Sequence, residues 1–338
     1  MNRNIILLVI AISILGFACQ ENKLPPIEPT LVTEQTKHDT DDPAIWIHPE
    51  DPAKSIIFGT DKDTDGAIYA FDLNGKIIEE KTIRNFKRPN NVDIEYGFPI
   101  NDSTKMDILV FTERERQQIR VFSVPDMQAL DGGGFPVFTD EKDPESKLPM
   151  GISLYKSPID NAFYAIVGRK TGPSGSYLYQ YQLTADSTGV QTSLVRKFGQ
   201  FSGDKEIEAI AIDDEQGYVY YSDEGSCIRK YYAEPSKGNE ELSCFGGEYF
   251  KDDLEGIAIA NTGDGGGYLI VSDQQKGQFN LFSRTDNSFI KAVNLTTKET
   301  DGCEVVTVGL NETFPNGLFV AMNEEKNFYC YDLGKLEE

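Results

Sequence analysis

Two histidines are all that this 338-residue chain carries, and positive charge is in short supply as well. The histidines, His38 and His48, sit in loop-like contexts and cannot build a histidine-based phosphoryl-transfer site. With only these two histidines and no cysteine cluster of zinc spacing, the sequence argues against zinc as well. Lysine and arginine number 32 against 55 acids, a formal charge of −23. Such a balance argues against nucleic acid or an anionic lipid surface as partner. Helix-period apolar patterns are scarce, and past the first 20 residues no stretch is long and apolar enough to cross a membrane. No Gly-x-Ser-x-Gly elbow is present, and no cysteine is followed by arginine at phosphatase spacing. The glycine-rich stretches Asp131–Gly134 and Gly263–Gly267 lack the strand–turn–helix setting of a phosphate loop and read as hairpins.

The N-terminus has Asn2-Arg3-Asn4, an apolar run Ile5–Leu15, and Gly16-Phe17-Ala18-Cys19. This run reads as an export signal over residues 1–19. Two processing routes stand: lipoprotein cleavage leaving Cys19 acylated, or ordinary cleavage near Ala18. Residues 20–37 form a polar, proline-containing tether, and 38–338 one large domain. The expected location is the cell envelope, lipid-anchored or secreted, with membrane contact only through Cys19. The expected state is a monomer. Of the other cysteines, Cys227 and Cys244 either pair across neighbouring strands or remain small buried thiols.

Glycine (30) and the sum of tyrosine and phenylalanine (16 and 20) are abundant, and the chain repeats. Six segments open on an acidic or small residue and an apolar strand: Asp42–Ile47, Asn91–Tyr96, Met150–Tyr155, Glu208–Asp213, Glu255–Ala260 and Asp301–Val306. Second strands follow at Ser55–Thr60, Met106–Thr112, Phe163–Gly168, Tyr218–Ser222, Tyr268–Ser272 and Gly317–Ala321. Third strands follow at Ala67–Phe71, Gln118–Phe122, Ser176–Tyr181, Ile228–Tyr232, Phe279–Phe282 and Phe328–Tyr331. A period of roughly 50 residues with several short strands is a blade, so the expected fold is all-β, a six-bladed β-propeller. Residues 27–36 are candidates to close the ring on the last blade. Two β-sandwiches or a solenoid are the alternatives.

In a propeller the starts of the innermost strands and the loops after the second strands reach one mouth. Acids gather there: Asp41, Asp42, Asp93, Glu208, Asp223, Glu224, Asp253, Glu255, Asp301 and Glu304. Each alone reads as a solvated carboxylate, but together they repel by several kcal/mol per close pair at an effective dielectric near ~20. Hard cations remove that strain, and oxygen-only ligands point to several calcium ions. Lys62, Arg114 and Lys170, with Arg116 and Arg169 as further candidates, follow second strands and suit phosphate oxygens, or are plain surface charges. The stretch Asp61-Lys62-Asp63-Thr64-Asp65-Gly66, with Asp72 in the twelfth place, reads as a tight hairpin or as an isolated calcium loop.

Asp41-Asp42-Pro43-Ala44-Ile45-Trp46, Asn90-Asn91-Val92-Asp93-Ile94, Glu208 with Asp213-Asp214-Glu215, Asp253-Leu254-Glu255-Gly256 and Thr300-Asp301-Gly302 resemble the β-propeller phytases, from about residue 36 onward. The resemblance implies a calcium-dependent hydrolase of phosphate monoesters such as phytate, a small polyphosphorylated substrate. It implies calcium ligands at Asp41, Glu208, Glu224, Asp253, Glu255 and Asp301, with further contacts at Asp42, Asn91 and Asp93. Glu208, Asp253 and Asp301 are then the catalytic set, and Lys62, Arg114 and Lys170 the phosphate-holding cations. It further implies attack of a calcium-bound water on one phosphate while an adjacent site holds a neighbouring one. Two positions depart: Asp63 stands where the family commonly has a second lysine, and Met150 where it has a phosphate-contacting tyrosine. Both departures weaken phosphate holding. A calcium-dependent propeller lactonase and a non-catalytic binding propeller are the rival readings.

Overall fold

The computed structural model describes residues 24–101, 103–251 and 253–337. The signal read at 1–19, with Cys19, lies outside them. Six antiparallel sheets of four strands follow one another. The first blade runs Thr40–Trp46, Ile56–Asp61, Gly66–Phe71 and Ile83–Phe86, from the innermost strand outward. The next four repeat that order, their innermost strands being Pro89–Asn101, Pro149–Lys156, Ile210–Asp213 and Leu254–Gly263. The sixth takes Cys303–Val306, Leu318–Asn323 and Asn327–Asp332, and its outer strand is Leu31–Val32 from the other end of the chain. Leu31 pairs with Cys330 and Val32 with Tyr329, so the ring closes within the segment expected to close it.

The packing explains why the second strands read as unbroken apolar runs. Successive side chains on a strand point to opposite faces, and both faces of a blade are covered by neighbours. Ile57 packs between the sixth and first blades, and Phe58 between the first and second. Leu109 and Val110 divide in the same way on the second blade, and Phe319 and Val320 on the sixth. Six apolar clusters result, one at each junction of neighbouring blades. Cys227 and Cys244 are bonded, tying the third and outer strands of the fourth blade. Cys303 and Cys330 are free and buried.

The stretch Asp61–Gly66 is a hairpin turn between two strands of the first blade. Asp72 belongs to a different turn, where it accepts from the backbone of Asn74 and Lys76. The calcium-loop reading of that stretch is therefore set aside.

Candidate active site

Close approach of the innermost strands builds the mouth. A Cβ on Gly151 would lie 1.9 Å from the carbonyl oxygen of Glu208, and one on Gly302 2.4 Å from Asp42 Oδ1. Glycine at these places lets neighbouring blades bring their leading carboxylates together. Among the described residues two groups of three form, with carboxylate oxygens within 4.8 Å of one another: Asp41, Glu208 and Asp301, and Glu224, Asp253 and Glu255.

The first group is threaded by cations. Lys62 Nζ lies 3.2 Å from Asp41 and 2.6 Å from Asp301, and the Arg114 guanidinium 3.4 Å from Glu208. Asn90 donates to Asp41 at 3.0 Å, and Gln274 to Asp301 at 2.5 Å. Burial raises the Asp41 and Glu208 carboxyls; Lys62 opposes the rise in both, and Asp301 adds to it. Lys62 is held above its ordinary value, because Asp41, Asp301 and Glu208 outweigh the opposing effect of burial. In the second group Lys205 pairs with Asp253, and Gln275 donates to Asp253 at 2.8 Å. Burial, then Glu208 and Glu224, push Glu255 well up, so the two groups feel each other's charge.

Asp41 Oδ1, Asn90 Oδ1 and Glu255 Oε2 are buried with no hydrogen-bond partner among the described residues. An all-oxygen donor set with orphaned oxygens fits a hard cation such as calcium, since a buried unsatisfied oxygen is costly.

Asp42, Asn91 and Asp93 are placed apart from both groups. With Glu95, Asp214 and Glu304 they line the central channel. Asp42 accepts from the Val92 backbone at 3.0 Å and Asp93 from Leu154 at 2.7 Å, each bonding its blade to the next. Asn91 Oδ1 is buried there without a partner. Lys170 lies 3.5 Å from Glu206 and is half-exposed. Arg169 is fully buried against Glu141 and the rings of Phe138 and Tyr179, so it stiffens the third blade and is not a phosphate contact. Arg116 pairs with Glu113, and Asp223 with Ser202 and Arg229. Met150 is buried and its sulfur accepts from Arg114. Lys205, Glu206 and Gln274 were not singled out from the sequence, and Asn90 appeared there only inside a motif, with no role of its own.

A family model described as phytase matches residues 7–329. The 3-phytase of Bacillus subtilis (strain 168) is 32% identical over 300 residues, covering 84% of this chain and 74% of the relative. Among solved structures, the Dos1 propeller aligns with a TM-score of 0.45 and 12% identity over 87% of this chain and 67% of that one. The computationally designed Ika8 protein aligns at 0.43 and 10% identity, over 90% of this chain and 99% of that one.

Proposed function

The chain belongs to the phytase family, and from that premise we propose that it hydrolyses phosphate monoesters of phytate (myo-inositol hexakisphosphate) in a calcium-dependent reaction. Family membership makes it a hydrolase of the phosphatase class. The observation that carries the calcium requirement is the pair of carboxylate groups at one mouth, with buried oxygens that lack donors and with Lys62 and Arg114 threaded through the first of them. Asp41, Glu208 and Asp301 hold ions on one side, and Glu224, Asp253 and Glu255 on the other. Calcium bound there supplies positive charge against the phosphoryl oxygens and lowers the pKa of an attacking water.

The chain's own groups do the rest. Lys62 and Lys170 place ammonium charges on phosphate oxygens, and the Arg114 guanidinium offers a fork that two oxygens fit at once. Asn90 and Gln274 fix the rotamers of Asp41 and Asp301, so the ligands are in place before the substrate arrives. Burial of Asp41, Glu208 and Glu255 keeps the dielectric low and every charge interaction strong. No covalent enzyme intermediate is required, because water is the nucleophile.

The test is phosphate release from phytate by residues 20–338, with calcium and with excess chelator, beside Glu208→Ala. We expect release only with calcium, and a loss of at least about 100-fold in the variant. No release at any calcium level, from phytate or from simpler esters, sinks the reading. From the N-terminal sequence we further propose that the protein is exported to the cell envelope by residues 1–19 and held by a lipid on Cys19 or released. The mass of the mature N-terminus distinguishes the two.

A further inference from the structure

The loop that enters the fourth blade carries two adjacent residues of opposite charge, and each already has a partner in the site. Lys205 pairs with Asp253, a member of the second carboxylate group, and lies within electrostatic reach of Glu224. Glu206 lies 3.5 Å from Lys170, one of the three phosphate-holding cations. The loop is pinned rather than loose: Ser202 gives its backbone N–H and its hydroxyl to Asp223, at 2.9 and 2.7 Å. The Glu224 N–H donates to the Glu206 carbonyl at 3.3 Å. Lys205 holds φ +57°, in the left-handed region that a non-glycine residue enters at a cost.

The chemistry of the two contacts is the chemistry of the absent ligands. An ammonium is a compact positive charge with three donors, and at Asp253 it has the sign of a metal ion. A carboxylate on Lys170 has the sign and the oxygen acceptors of a phosphate. We propose that Lys205 and Glu206 are an internal occupant of the active site, with Lys205 in the place of a divalent cation at Asp253 and Glu206 in the place of a phosphoryl oxygen at Lys170. Calcium and phosphate must each displace one of them, so the pair sets the concentrations at which the site fills. This rests on the calcium-phosphatase reading of the same site.

Calorimetry on chelator-stripped protein tests it, with calcium alone and, separately, inorganic phosphate alone. Lys205→Met should bind calcium about two- to fivefold more tightly, the size of a half-exposed ion pair, and Lys205→Arg should match the parent. In an Asp253→Asn background Lys205→Met should have a clearly smaller effect, because the paired carboxylate is gone and only the weaker field at Glu224 remains. Glu206→Gln should bind phosphate tighter by a similar factor. Unchanged or weaker calcium binding in Lys205→Met overturns the proposal, as does unchanged phosphate binding in Glu206→Gln. Thermal midpoints close to the parent's confirm that the variants fold. Both readouts are binding alone, so a protein that meets them yet releases no phosphate from phytate keeps this inference and loses the catalytic one.

Discussion

Asn90 donates its side-chain amide to Asp41 and leaves its own carbonyl oxygen buried with no donor of its own. Both facts make it part of the first carboxylate group: it orients one ligand and offers another. Asn90→Ala should weaken calcium binding about 10- to 100-fold while the fold persists, measured by calorimetry with thermal unfolding as control. Calcium affinity equal to the parent's would show that Asn90 serves the strand alone. The same residues show how far the site was legible. Asp41 and Asp42 both look like ligands in a string of letters, yet the strand's register shifts between Thr40 and Pro43, and their side chains part at that bulge. Asp41 joins the mouth, whereas Asp42 enters the channel and bonds Val92. A bulge of this kind breaks the two-residue period, so the sequence alone did not separate the two. Asn90 stood in a motif quoted for the resemblance but received no role, since nothing in two adjacent asparagines says which one faces the carboxylates. Lys205 and Glu206 gave no signal because a loop, not a strand period, places them.

At the scale of elements, the glycines at the strand starts decide how closely blades approach. Gly151 sits against the Glu208 backbone, with no room for a Cβ. Gly151→Ala must push the fourth blade's leading residue outward and carry the Glu208 carboxylate with it. We expect kcat on phytate to fall more than about 100-fold, given that misplacement of about 1 Å costs that much. The fall in thermal midpoint should be modest by comparison. A variant with full activity would mean that the strand entrance can yield without moving the ligand. The inner three strands of each blade were all legible, because two-sided burial gives each an apolar stretch. The outer strands were not, apart from the closing one. Ile83–Phe86, Phe135–Pro136 and Ser243–Phe245 are two to four residues long and half-exposed, so they carry neither a run nor an alternation.

For the molecule as a whole, the channel is its electrostatic weak point. Burial, then Asp93, raises the Glu304 carboxyl to about 8, and burial raises Asp93 to about 6. In the unfolded chain both release their protons near pH 4. The folded state therefore holds extra protons between about pH 4 and 8, and its stability falls as pH rises through that window. Chelator-treated protein should melt lower at pH 8 than at pH 5, and Glu304→Gln should flatten the slope. A midpoint that rises over that range would contradict the assignment.

The closing strand has a consequence of another kind. Leu31–Val32 lies hydrogen-bonded beside Tyr329–Cys330, so the two ends of the folded chain already touch. Each blade meets its neighbours through the same sort of apolar junction, and the sixth-to-first junction is one of six. Where the polypeptide starts is thus a historical accident of the gene and not a demand of the architecture. A short linker joining the ends, with a cut in an exposed turn such as Asn239–Glu240, would give a circularly permuted chain. Its blades would be translated in a new order and assemble the same mouth.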